Sequence, residues 1–128
     1  MIILLDTSTP ICRLTLVEGE TYLSKEWQAD RDLAHGLLKW LDEQLTLEGK
    51  QLRDITAIGV FQGPGSFTGL RIGLTVMNTL ADGLAVPIVA ARGDDWQRSA
   101  VASLRAGRND QIVLPFYDRD ANITMPRK

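Results

Sequence analysis

Gly63-Pro64-Gly65-Ser66-Phe67-Thr68-Gly69-Leu70-Arg71-Ile72-Gly73 is the segment on which the fold turns. Apolar Ile58, Val60 and Phe61 precede it as a short strand, and Leu70 to Leu84 follow it with apolar residues around most of a helical wheel. Gly63, Pro64 and Gly65 make the turn, and Ser66 or Thr68 caps the helix by accepting a hydrogen bond from a first-turn amide. Free amides and the positive end of the helix dipole at such a start can hold an anion. Equally, the glycines permit tight helix-to-strand packing, with Gly69 and Gly73 on neighbouring turns letting another backbone approach. The spacing is not that of a P-loop, which ends in Gly-Lys-Ser/Thr, nor of a Gly-x-Gly-x-x-Gly dinucleotide turn.

Upstream, Ile2 to Leu5 is a continuous apolar run fit for a central strand, ending at Asp6. Cys12, Leu14 and Leu16 alternate with Arg13, Thr15 and Val17 as a second strand, and Glu18-Gly19-Glu20 turns the chain into a third through Tyr22, Leu23 and Trp27. Asp30 or Asp32 opens a helix that runs to about Glu48, with Gly49 as its stop. Its apolar residues Leu33, Leu37, Leu38, Trp40, Leu41, Leu45 and Leu47 cover an arc of roughly 180°, where docking on one sheet needs only about 100°. The helix from Leu70 is more apolar still, leaving a polar strip of Arg71, Thr75, Asn78, Thr79 and Asp82. Val86 to Ala90 predicts a fifth strand, Asp94 or Asp95 caps a short helix to Leu104, and Ile112 to Tyr117 can add an edge strand before a polar tail. The expected class is α/β, with residues 1–92 as the lobe and 93–128 as a helix, edge strand and tail of the same domain.

The 128 residues suffice for one core, and a formal net charge of -2 argues against gripping an RNA backbone directly. A lone cysteine, Cys12, fits a reducing compartment, and Met1 to Leu5 is too short for a signal or a membrane span, so a cytoplasmic protein is expected. A metal site is not expected, because His35 is the only histidine and no cysteine cluster exists; His35 reads as a solvated surface residue. Ser66 lacks the Gly-x-Ser-x-Gly elbow of a nucleophile and is better placed as a cap.

The stretch from Gly63 to Gly73, with Asp6-Thr7-Ser8-Thr9, closely resembles the TsaB (YeaZ) family over roughly residues 1–92. The resemblance implies one lobe of the actin-like ATPase (ribonuclease H-like) fold, a mixed five-stranded sheet with helices, in a shortened form like the family's N-terminal half. It further implies a non-catalytic subunit in N6-threonylcarbamoyladenosine synthesis on tRNA adenosine 37. That subunit has no cofactor of its own, and pairs with a TsaD-like catalytic subunit, with a TsaE-like ATPase, or with itself as a homodimer, contacting tRNA only indirectly. Leu33, Leu37, Trp40, Leu41, Leu70, Arg71, Leu74, Met77 and Asn78 are the expected partner interface. Asp6, Thr7, Gly65, Ser66 and Thr68 are the candidate anion or nucleotide contacts, with a structural role for Asp6 and Thr7 as the alternative. Arg71 either forks onto a partner's carboxylate or phosphate or pairs with Asp82 or Glu43. The alternatives in function are a small nucleotide-binding or ATP-hydrolysing lobe and an inactive remnant.

Overall fold

The computed structural model describes residues 1–116. Eight elements follow in the order β1 (Ile2–Asp6), β2 (Ile11–Glu18), β3 (Thr21–Gln28), α1 (Leu33–Leu47), β4 (Ala57–Phe61), α2 (Phe67–Leu84), β5 (Ile88–Ala91) and α3 (Trp96–Arg105), with short 3-10 turns at Asp30–Asp32 and Leu52–Asp54. The five strands form one sheet in the order β3-β2-β1-β4-β5. β1, β2 and β3 are an antiparallel meander, whereas β4 pairs with β1 and β5 with β4 in parallel.

The two faces of the sheet follow the period-two alternation of its strands. Ile3, Leu5, Cys12, Leu14, Leu16, Ile58, Val60, Ile88 and Ala90 pack in one cluster with Leu37, Leu41 and Leu45 of α1 and Leu74, Met77 and Ala81 of α2. Leu4, Val17, Ala57 and Val89 point the other way, onto Trp96, Ala100, Val101 and Leu104 of α3. β1 and β4 are therefore covered on both sides, which is why they read as unbroken apolar runs. β3 is the exposed edge, crossed by the Lys25–Glu48 pair at 2.7 Å.

Local signals set the helix ends. Gly49 adopts φ +74, and the Gly49 and Lys50 amides donate back to Thr46 and Leu45, a left-handed stop that glycine reaches at little steric cost. α2 starts where Ser66 Oγ accepts from Gly69 N at 3.3 Å.

The segment 112–116 is not a strand, contrary to the expectation of an added edge strand; Tyr117 and the tail 118–128 lie outside the described residues. It is held instead by Asn78 and Gln62. Asn78 both donates to Val113 O and accepts from Val113 N at 2.9 Å, while Gln62 Nε2 donates to Leu114 O at 2.9 Å and Gln62 O accepts from Phe116 N at 2.8 Å. Arg92 lies over the Phe116 ring at 3.9 Å.

Arg108 donates to both carboxylate oxygens of Asp110, at 2.9 and 2.8 Å, and this pair holds the Asp110 carboxyl below its ordinary range despite some desolvation. A depressed folded-state value means the contribution to stability is present above the ordinary carboxylate range and is lost as pH falls through the folded-state value. We expect the thermal midpoint to drop on acidification with a component that disappears in an Asp110→Asn chain; identical pH profiles for the two would contradict this.

Candidate functional site

The glycine-rich turn welds β1 to α2. Ser66 N donates to Ser8 O at 2.7 Å, Thr7 Oγ1 donates to Gly69 O at 2.7 Å, and Asp6 Oδ1 accepts from Ser8 N at 2.8 Å. A Cβ at Gly65 would meet Ser8, one at Gly69 the Thr7 carbonyl oxygen, and one at Gly73 the Thr7 hydroxyl. The glycines are thus the condition for seating α2 on the turn after β1. Asp6 and Thr7 are engaged within the chain, and Thr7 is buried. Gly65, Ser66 and Thr68 remain on the surface; Ser66 and Thr68 line a hollow of about 350 Å³ with Thr9, Pro10 and Arg31.

α1 and α2 pack side by side on one face of the sheet. The residues expected to face a partner divide in two. Leu33, Leu37, Trp40, Leu41, Leu70, Leu74 and Met77 are all buried in a single copy, so they are corrected to core positions. The wide apolar arc of each helix spends its centre on the sheet, and a side chain already enclosed has no surface to offer. Asn78 is likewise corrected: its amide clamps Val113 of the same chain. Arg71 stays exposed, and its guanidinium lies over the Phe67 ring at 5.3 Å rather than pairing with Asp82 or Glu43.

What the two helices leave open is the seam between them. Ile72, Val76, Leu80 and Leu84 form a half-buried i, i+4 row along α2, beside the buried row Leu70, Leu74, Met77 and Ala81. Across from it stand Ala34 and Leu38 of α1, the latter 46% exposed. Ala34 and Leu38, with Thr75, Val76, Thr79, Leu80, Gly83 and Leu84, line a groove of about 450 Å³ that has His35 on its wall. A second hollow of about 430 Å³ shares Ala34, Thr75 and Val76 and continues the groove past Ile72 to Thr68 and Arg71. The result is a largely apolar trough with a cation at one end. Ile72, Val76, Leu80 and Leu84 belong to the apolar wheel of the second helix that the sequence shows, but they, like Ala34, are not among the expected interface residues. The second i, i+4 row on α2 was the signal available.

Other reactive groups are muted. The Cys12 thiol is buried, and desolvation first, then the charge of Asp6, pushes its pKa up to about 12. Among the described residues no group of three or more His, Cys, Asp or Glu side chains is placed to hold a metal ion. Trp27 and Trp40 stack at 5.5 Å, and Trp96 meets Phe61 at 5.7 Å, so the tryptophans pack against the chain itself. No helix among the described residues is long and apolar enough to cross a membrane.

Comparison with known proteins supplies the relationship. The family model described as "TsaD: tRNA N6-adenosine threonylcarbamoyltransferase" matches residues 27–92, about half of the chain. The tRNA threonylcarbamoyladenosine biosynthesis protein TsaB of Escherichia coli is 30% identical over 131 residues, covering 94% of this chain and 56% of that protein. The TsaB protein of Haemophilus influenzae is 37% identical over 87 residues, covering 66% of this chain and 36% of the relative. YeaZ from Pseudomonas aeruginosa superposes with a TM-score of 0.65 at 35% identity, covering 71% of this chain and 43% of that structure. The chain spans 56% of the length of the Escherichia coli relative and 36% of the Haemophilus influenzae one. The shared mixed sheet and the glycine-rich turn before α2 thus place the chain in the TsaB (YeaZ) family, as a partial-length form with an actin-like, ribonuclease H-like α/β fold.

Proposed function

We propose that this chain is a non-catalytic, cytoplasmic TsaB-type subunit of tRNA threonylcarbamoyladenosine synthesis, and that it works by docking the α1/α2 groove onto a TsaD-type transferase. The observation that carries the reading is the half-buried row Val76, Leu80 and Leu84 beside Leu38, continued by Ile72 in the adjoining hollow, an apolar surface that association would remove from water at roughly 25 cal/mol per Å². The same groove serves self-association, so a homodimer competes with the transferase complex. Transfer chemistry, with its nucleotide and metal, then belongs to the partner. A TsaE-type ATPase joins the assembly, and tRNA is reached through the transferase, consistent with the net charge of -2.

The family membership supports the pathway. The test is reconstitution: threonylcarbamoyladenosine formed on tRNA by the transferase and its ATPase, with and without this chain. Formation that depends on the chain is expected. Equal formation in its absence would sink the proposal, and magnesium-dependent ATP hydrolysis by the chain alone, lost in Asp6→Ala, would favour a nucleotide-binding lobe instead.

A further inference from the structure

The sheet ends on one side at β5, and the backbone groups of that strand divide by parity. Ile58 N donates to Pro87 O and Gln62 N to Ala91 O, so the odd-numbered positions face β4 and Ile88 and Ala90 face outward. An outward row of amides and carbonyls on an apolar strand is a template for pairing with another chain. β3, at the opposite edge, carries Lys25 and Glu26 as charged guards, whereas Ile88-Val89-Ala90-Ala91 has no charge at all.

Each outward group of β5 nonetheless has a partner, and all the partners come from three successive residues. Asn109 Oδ1 accepts from Ile88 N at 3.2 Å, and Ile88 O accepts from Asp110 N at 2.8 Å. Asp110 Oδ2 accepts from Ala90 N at 3.2 Å, and Arg108 reaches Ala90 O at 3.5 Å while pairing with Asp110. Asn109 Oδ1 also accepts from Gln111 N at 2.8 Å, where the backbone turns through a positive φ of 66 at a non-glycine residue. The chain thereby mimics a sixth strand with three side-chain contacts and a single backbone amide, too few backbone groups to propagate a ladder. Beyond the turn, Val113 is clamped by Asn78, so the three residues are anchored from both sides.

We propose that Arg108, Asn109 and Asp110 form an edge lock that prevents β5 from pairing with β5 of a second copy of this chain. A second copy is the fitting occupant because the strand is short, uncharged and identical in both partners, so that a two-fold arrangement satisfies both edges at once. This contact is separate from the α1/α2 groove.

The test places Asn109→Ala, Asp110→Ala and the double change in a Leu38→Glu background, which removes groove-mediated association. Amide exchange is followed by NMR, with Leu4 in β1 reporting that the fold persists. Asn109→Ala is expected to speed exchange at Ile88 more than at Ala90, Asp110→Ala the reverse, each by at least about tenfold. The double variant is expected to self-associate with rising concentration in sedimentation, while its Leu38→Glu parent remains monomeric. Unchanged exchange at both amides, or a double variant that stays monomeric, would overturn the lock. Should the alanine variants lose the Leu4 protection, Asp110→Leu keeps the approximate size of the side chain without an acceptor for Ala90 N and is read by the same two measurements.

Discussion

Met77→Glu is expected to leave no folded chain in water at neutral pH. Met77 is 0% exposed and sits between α2 and the sheet, in the same cluster as Ile58, Val60 and Ile88. Placing a carboxylate there costs several kcal/mol even after relaxation, against a total stability of about 5–15 kcal/mol for a domain of this kind. Circular dichroism should show loss of the cooperative transition, and a folded Met77→Glu chain with a normal thermal midpoint would contradict the packing described. The same outcome is expected for charge at Leu74, 3% exposed. Neither site can therefore report on partner binding, although their apolar character made them natural candidates from sequence.

Leu38→Glu is expected to have the opposite profile. Leu38 is 46% exposed in the single copy, so a surface substitution there should change stability by no more than about 0.5 kcal/mol. In the docked state the new carboxylate would be enclosed largely by apolar groups of the groove, with Arg71 lining only the adjoining hollow. A loss of about 3 kcal/mol of binding, roughly a hundredfold in Kd, follows for both the homodimer and the transferase complex. Calorimetric titration against the transferase and sedimentation of the chain alone provide the two readouts. Wild-type affinity in the variant would move the interface elsewhere, whatever the stability result.

Much of the fold was legible because its decisive features are local. Gly49 stops α1 and Ser66 caps α2 through contacts within four residues, and the alternation of Cys12 to Val17 fixed β2. Gly69 and Gly73 announced a close approach without naming what approaches; the structure supplies Thr7, more than sixty residues away. The site was harder for the same reason. An apolar arc on a helix does not say which part meets the sheet and which meets the neighbouring helix, so Leu33, Leu37 and Leu41 were indistinguishable from Leu38 by composition. Asn78 and Val113 are thirty-five residues apart, and nothing in either stretch signals the other. The alternation at Ile112, Leu114 and Phe116 does read as a strand, yet at 112–116 the hydrogen-bonding partners are the side chain of Asn78 and both the side chain and carbonyl of Gln62, not a ladder.

Thiol accessibility measures the groove most directly, because the native Cys12 thiol, buried with a pKa of about 12, is silent toward alkylating reagents near neutral pH. A Leu38→Cys chain carries its one reactive thiol in the groove, and a Ser99→Cys chain carries it on the exposed side of α3, on the far face of the sheet. With saturating TsaD-type transferase, alkylation of Leu38→Cys is expected to slow by at least about tenfold while Ser99→Cys is unchanged. Protection at Ser99→Cys with an unaltered rate at Leu38→Cys would contradict the assignment of the groove as the docking surface.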